Sequence, residues 1–536
     1  MVDVSAIKPH LDPSKINTYS DLIEQQGKIQ GDKPYLLFRD RKVSFAEFNR
    51  DTCRIANGLA DQGAKPGDGL AILMHNCPEY YDLFYGLPRG GFYSVPVNTA
   101  LKGEGLGFIL KNSDVRYLVV DEELYPKVAE LGTELGDIRM IFVHRSSDLP
   151  LPDGTLDFDV LLQASPEKPN HKPDPDAIAY LMYTSGTTGF PKGVVNKNKS
   201  GNTEGLIMLS GMLILPDDVL FTALPLFHAN ALLLTPSLAM AAGIAFGLEV
   251  KFSASGFWDA IRHYGATQFN GIGALMPILM KQPEKPNDAD NPVRMVWSAA
   301  CPANIWEAFE KRFDVKIIES YAAVDGGGVM TMNLGDAPAG SVGKIIQGEW
   351  KLVDENDREV PQGEIGELIN KVDGDGASNV EYYRNPEASE KKAKDGWVRS
   401  GDLFYADAES NLYFVDRSSD SMRRRGENIS SFEVESIIEK YPDVESCAAF
   451  GVPSELAEDD VMVWVKPKAG TRPDLKQLVN HCVENMAFFM IPRYIDIVEE
   501  IPRTGTLRAQ KAGMKKQGVT EKTWDREKEM PDLKKL

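Results

Sequence analysis

Tyr183-Thr184-Ser185-Gly186-Thr187-Thr188-Gly189-Phe190-Pro191-Lys192-Gly193 follows directly on the apolar run Ile178–Met182 and decides the fold class. An apolar run of this length reads as a buried strand, and the glycines after it permit a tight turn whose amides can face phosphate oxygens. The hydroxyls of Thr184, Ser185, Thr187 and Thr188 add donors, and Lys192 adds a cation. The segment therefore reads as a phosphate cradle. It is not the GxxxxGK[ST] loop, because Lys192 follows Pro191 and precedes glycine. An ordinary Ser/Thr/Gly surface loop would lack both the buried strand and the lysine.

Outward from the cradle, Gly69–Met74, Tyr117–Val120, Met140–Val143 and Val315–Ile318 are rich in Val, Ile and Leu, and they alternate with helical patterns such as Phe45–Gln62 and Pro302–Arg312. Apolar strands between helices predict parallel sheets covered on both faces, hence an α/β architecture. From Gly343 the pattern turns to short amphipathic strands with acidic turns, at Glu349–Val353, Gly366–Asn370 and Asn411–Val415, which predicts a small β-rich subdomain. A polar stretch with four arginines, Arg417–Asn428, leads to a helix at Ser431–Tyr441 and strands at Ser446–Val452 and Val461–Pro467, a compact α+β unit. The chain thus divides into residues 1–416, a hinge at 417–419, and a small C-terminal domain at 420–536.

The 536 residues carry 59 Lys plus Arg against 79 Asp plus Glu, a net charge of −20 that repels polyphosphate and anionic lipid and weighs against a nucleic-acid binder. Five cysteines without CxxC spacing predict neither a zinc motif nor a disulfide framework. The N-terminus lacks the basic start and apolar core of an export signal, so the chain reads as cytoplasmic. Ala231–Leu248 approaches membrane-spanning length, but Thr235, Pro236, Ser237 and two glycines interrupt it, and a buried helix followed by a buried strand is expected instead.

At this point the sequence resembles a known family, the AMP-forming adenylating enzymes that include acyl-CoA synthetases, luciferases and peptide-synthetase adenylation domains. Beyond the cradle the resemblance covers Pro225-Leu226-Phe227-His228, Glu319-Ser320-Tyr321, Ser400-Gly401-Asp402-Leu403, Asp416-Arg417 with Gly426-Glu427-Asn428-Ile429, and Ile501-Pro502-Arg503-Thr504. Within the family, Lys251–Ser255 with Phe257-Trp258, and Thr504-Gly505-Thr506, look most like fatty-acid-transport-protein synthetases and carnitine or crotonobetaine CoA ligases.

The resemblance implies a large N-terminal domain of two parallel α/β sheet subdomains plus the small β-rich one, and a mobile C-terminal domain. It implies ATP, Mg2+ and coenzyme A, and a small carboxylic acid as substrate; oligomeric state stays open. Thr184, Ser185, Gly186, Thr187, Thr188, Gly189 and Lys192 would hold the phosphates. Tyr321 would stack on adenine, and Asp402 and Arg417 would bind the ribose. His228 would line and position the acyl site rather than act as a general base. Gly271, Gly273, Ala300 and Ala322 fall where the resemblance puts the acyl-pocket wall; for the two glycines and Ala300, close packing of strand against helix is an equal account.

Three departures stand out. Where the family has Tyr-Gly-x-Thr-Glu, this chain has Tyr321-Ala322-Ala323-Val324-Asp325, so a phosphate-binding hydroxyl is lost and Asp325 is one methylene shorter than the magnesium-binding glutamate. At the adenylation lysine stands Arg508, a planar fork in place of a compact ammonium, with Lys511 as the competing cation. Family members swing the C-terminal domain between half-reactions about the residue matched here by Ser419. Arg423, Arg424, Arg425 and Gly426 would then meet coenzyme A phosphates, or form a solvated basic run. The expected function is an acyl-CoA synthetase. An adenylate-forming enzyme with another acceptor and a catalytically impaired nucleotide- or acyl-binding homologue are the alternatives.

Overall fold

The computed structural model describes residues 11, 15–184, 190–199, 203–272, 275–326, 328–371, 380–417, 421–456, 458–502, 509 and 511–533. Local rules set the helices that cover the sheets. Ser44 caps helix Phe45–Asp61 in a capping box with Glu47, and the helix buries Phe45, Phe48, Thr52, Ile55, Ala56 and Leu59 along one stripe. Gly58 lies against another helix so closely that a Cβ there would meet the Leu161 carbonyl oxygen at 2.4 Å, an approach only glycine permits.

The seven-stranded sheet runs, in spatial order, Leu156–Asp157, Met140–His144, Val115–Asp121, Gly69–Leu73, Tyr93–Pro96, Ile178–Thr184 and Lys192–Lys197. All its neighbours pair in parallel except the last, which folds back on Ile178–Thr184 as a hairpin. A nine-stranded sheet holds the parallel run Met295–Ala299, Gln268–Ile272, Val219–Thr222 and Ala245–Leu248, with Lys316–Ala323 on one side and Pro34–Phe38 on the other. The α/β expectation and the two-sheet layout hold, with antiparallel strands added at the sheet edges. Ala231–Leu248 becomes helix Thr235–Ala242 and strand Ala245–Leu248, preceded by one π-helical turn at Asn230–Leu234. Among the described residues no helix is long and apolar enough to cross a membrane.

Strands Glu349–Val353, Gly366–Lys371, Ala393–Lys394, Trp397–Ala406 and Leu412–Arg417 form the small β unit. Its core gathers Met330, Leu352, Leu368, Phe404 and Leu412. The C-terminal unit has its own core around Met422, Ile429, Val434, Val463, Leu478 and Ile495, with Ala100 of the large part packed against it. All five cysteines are buried and free of disulfides.

Ser421–Arg424 and Glu427–Ser430, which lie in and just after the polar stretch Arg417–Asn428, form a hairpin. Arg425 (φ 57°) and Gly426 (φ 81°) make its two-residue turn, the left-handed pair that matches the twist of antiparallel strands. The physical reason is Arg424. Its guanidinium is buried against Asp460 at 3.2 Å and donates to the Ile491 carbonyl at 3.1 Å, so this one arginine anchors the hairpin while Arg425 at the turn is exposed.

Candidate active site

The cradle sits between two strands, not between a strand and a helix, with Thr184 opposite Lys192 in the hairpin register. Ser185, Gly186, Thr187, Thr188 and Gly189 lie outside the described residues. The Lys192 ammonium stands 5.2 Å from the centroid of the Tyr382 ring. Burial holds Lys192 below the usual lysine range, against the opposing pull of Asp325. The Tyr382 hydroxyl donates to Asp325 Oδ2 at 2.5 Å, and Lys392 Nζ lies 3.1 Å from the same oxygen. Lys392 also donates to the Ser400 carbonyl at 3.1 Å. Two residues on, Asp402 accepts a hydrogen bond from the Tyr321 hydroxyl. A continuous polar chain therefore joins Lys192, Tyr382, Asp325, Lys392, Ser400, Asp402 and Tyr321.

Tyr382 and Lys392 were not singled out in the sequence. Tyr382 is fixed because residues 381–383 lie along the outer cradle strand: Val195 N–H donates to the Glu381 carbonyl at 2.8 Å and Tyr383 N–H to the Gly193 carbonyl at 2.7 Å. Lys392 ends helix Pro386–Lys392, which Asn385 caps. The available signal was an aromatic pair ahead of a capped helix and upstream of Ser-Gly-Asp-Leu. Tyr321 packs edge-on against Phe404 at 4.9 Å, and Asp402 is the register partner of Arg417, whose side chain lies outside the described residues.

The turn that carries His228 is held by buried Asn76, another residue the sequence did not flag. Its amide donates to the Leu224 and Glu249 carbonyls at 2.9 Å each and accepts from Leu226 N–H at 3.0 Å. Beyond it, half-buried Asn270 donates to Asn230 at 2.9 Å and to Thr235 at 2.8 Å. Gly271 is buried, and a Cβ built there would meet Met276 and Val296 at 3.4–3.7 Å, which puts it in strand-against-helix packing. Gly273 lies outside the described residues. Ala300 is exposed with φ 75°, a strained value for alanine, and its N–H donates to Glu319 Oε1 at 2.5 Å while Cys301 N–H donates to Oε2 at 3.1 Å. Burial pushes the Glu319 carboxyl up to about 7, with the two amides opposing. Ala322 is exposed at the end of its strand.

The C-terminal unit reaches this site through Glu427, one residue past the hairpin turn. Its Oε1 lies 3.1 Å from His228 Nε2, and its Oε2 accepts from Asn98 Nδ2 at 3.0 Å. At the turn itself, Glu458 accepts from the N–H groups of Arg425 and Gly426, and the Arg425 guanidinium stands 5.9 Å from the Phe488 ring. Lys511 is not exposed to this cleft. It is buried inside the C-terminal unit, 2.8 Å from Glu435 and 2.7 Å from Ser431 Oγ. Such a buried pair fixes helix Lys511–Gln517 and competes with a catalytic role. Arg508 and Ser419 lie outside the described residues.

Residues 23–377 match the family model described as AMP-binding enzyme, and residues 433–507 match the AMP-binding enzyme C-terminal domain. A curated relative, crotonobetaine/carnitine–CoA ligase of Salmonella paratyphi C, is 31% identical over 506 residues, covering 91% of this chain and 96% of its own. Among solved structures, a double mutant of Bacillus subtilis o-succinylbenzoate CoA synthetase bound with its product analogue superposes at TM-score 0.80. It has 23% identity over 94% of this chain and 99% of its own. The amide bond synthetase McbA of Marinactinospora thermotolerans superposes at 0.81, with 21% identity over 94% of this chain and 100% of its own.

Proposed function

The chain belongs to the AMP-binding enzyme family, and from that premise we propose that it is an AMP-forming acyl-CoA synthetase, an acid–thiol ligase. In the first half-reaction a carboxylate oxygen attacks the α-phosphorus of ATP and pyrophosphate leaves. In the second the thiol of coenzyme A attacks the acyl carbon and AMP leaves. The observation that carries the reading is the polar chain from Lys192 to Tyr321, which gathers a cation, a carboxylate and a tyrosine–aspartate pair from distant parts of the sequence at one site.

Chemistry of this kind rests on charge neutralisation and alignment. In our reading Lys192 and the cradle hydroxyls meet the β- and γ-phosphates, with Tyr382 fixing the ammonium through its ring face. Asp402 accepts from the ribose hydroxyls, and Tyr321, oriented by its hydrogen bond to Asp402, faces the adenine. Asp325 fits a magnesium site in part: Oδ2 takes the Tyr382 and Lys392 contacts, and the second oxygen has acceptor capacity for a metal-bound water. Magnesium bound there would neutralise phosphate charge, and Lys392 would share that task. Arg508 would carry the cation of the adenylation step, because Lys511 is committed to Glu435.

The C-terminal unit, bounded by a hinge at 417–419 that includes Ser419, would present Gly426 and Glu427 during thioester formation and Arg508 during adenylation. Arg425 at the hairpin turn would meet coenzyme A phosphate. The cluster of half-buried Asn230 and Asn270 with buried Thr235 supports a short polar acid of the carnitine or betaine kind over a long alkyl chain, which would need an apolar wall. Cytoplasmic residence completes the proposal. One observation favours a second reading, an impaired nucleotide- or acyl-binding homologue: Val324 lacks a hydroxyl, and the Asp325 charge is already met by Lys392. Acid-dependent exchange of labelled pyrophosphate into ATP, run without coenzyme A, tests the choice. Exchange with at least one short polar acid is expected; none across a panel of short, aromatic, medium-chain, bile and betaine acids would favour the binder.

A further inference from the structure

Away from the cradle, at the carboxyl ends of strands Gly69–Leu73, Val115–Asp121 and Met140–His144, the fold assembles a mixed donor set that the proposed reaction does not use. Cys77, Glu79 and His144 each present one ligand atom, all within 4.8 Å of one another. Cys77 is the residue before helix Pro78–Gly86, Glu79 lies in its first turn, and His144 ends the facing strand.

We infer that Cys77, Glu79 and His144 form a binding site for a borderline divalent cation such as Zn2+ or Co2+, a clamp between helix Pro78–Gly86 and the seven-stranded sheet. Thiolate, imidazole and carboxylate are the donors such ions take, at about 2.0–2.3 Å from the metal, and a water completes a four-coordinate shell. The ligand atoms, now within 4.8 Å of one another, would have to close on the ion to complete that shell. His144 is prepared for the role. Its Nδ1 lies 2.9 Å from Asp121 Oδ1, and Asp121 is fixed in turn by His75 N–H at 2.6 Å, so the imidazole is oriented with Nε2 as the ligating atom.

A second observation points to a ligand. Tyr80, one residue after Glu79, is fully buried, and its hydroxyl has no hydrogen-bond partner among the described residues. A buried phenol without a partner is destabilising, and water held on the metal would satisfy it. Arg41 pairs with one oxygen of Glu79, leaving the other for the cation. On binding, the Cys77 S–H bond breaks, its proton goes to solvent and the sulfur–metal bond forms.

The site is tested by titrating the full chain, stripped with a chelator, with Co2+ and then Zn2+. One Co2+ per chain with a thiolate-to-cobalt charge-transfer band is expected, displaced by Zn2+. Cys77→Ser should abolish the band, Asp121→Asn should weaken binding about tenfold through loss of the oriented imidazole, and His75→Ala should change nothing. Should Cys77→Ser fail to fold, His144→Gln serves in its place and should weaken binding at least as far as Asp121→Asn. Absence of binding, binding without a thiolate band, or a band that survives Cys77→Ser or is unmoved by His144→Gln would overturn the inference.

Discussion

Glu427, on the hairpin of the C-terminal unit, lies 3.1 Å from His228 of the large part, and so ties the small unit to the Pro225–His228 turn. The same carboxylate holds Asn98 at 3.0 Å, which makes Glu427 a two-point latch. Glu427→Gln keeps the shape and removes the charge. Charge-assisted hydrogen bonds contribute about 1.5–3 kcal/mol, so thioester formation from supplied acyl-adenylate should slow at least tenfold while pyrophosphate exchange stays at the wild-type rate. Equal losses in both half-reactions would show that the contact does not belong to one domain arrangement.

Tyr382 separates ring from hydroxyl. Tyr382→Phe leaves the face beneath Lys192 and deletes the donor to Asp325, so adenylation should fall about tenfold, as for one lost hydrogen bond to a charged group. Tyr382→Ala should cost more, since Lys192 then loses its ring as well. Pyrophosphate exchange at saturating acid reads both, and an unchanged Tyr382→Phe would remove the hydroxyl from the account.

Lys511 and Arg508 should part company in a stability measurement. Lys511→Ala strands Glu435 in a buried setting, where breaking an ion pair typically costs about 3–5 kcal/mol, so denaturant unfolding of the C-terminal unit should shift strongly. Arg508→Ala should leave unfolding unchanged, depress pyrophosphate exchange, and spare thioester formation from supplied acyl-adenylate. The reverse pattern would return Lys511 to the catalytic position.

Glu319 gives the fold a pH dependence. Its folded carboxyl titrates near 7 against an ordinary value of 4.5, so the folded state binds the extra proton between those limits. Stability from this group is full below about 4.5 and is lost as pH rises through 7, by no more than about 3 kcal/mol. The difference in unfolding free energy between wild type and Glu319→Gln, measured from pH 5 to 8, should follow that slope. A flat difference would mean that the carboxyl is not held in the protonated state.

Much of this was legible in the sequence because strongly patterned runs dictate their own conformation. The run Ile178–Met182 is a strand because its apolar side chains suit a sheet, and Glu349–Val353 was read to the residue for the same reason. Arg424, read with its neighbours as a coenzyme A contact or part of a solvated run, is buried instead, because charge predicts exposure until a partner such as Asp460, 36 residues on, is brought beside it. Asn76, Tyr382 and Lys392 were illegible for a related reason. Their roles arise from partners 57 to 173 residues distant, and neither periodicity nor propensity carries that information. Gly271 shows the limit of reading small residues: a missing side chain leaves room for a substrate or for a neighbouring helix, and only the position of Met276 decides.

The most direct measurement is a product balance by mass spectrometry from the full chain with ATP, Mg2+, coenzyme A and short polar acids. The account predicts acyl-CoA and AMP in equal amounts, both dependent on the acid and both abolished or sharply reduced in Lys192→Ala. AMP release without thioester, or a thioester yield untouched by Lys192→Ala, would contradict it.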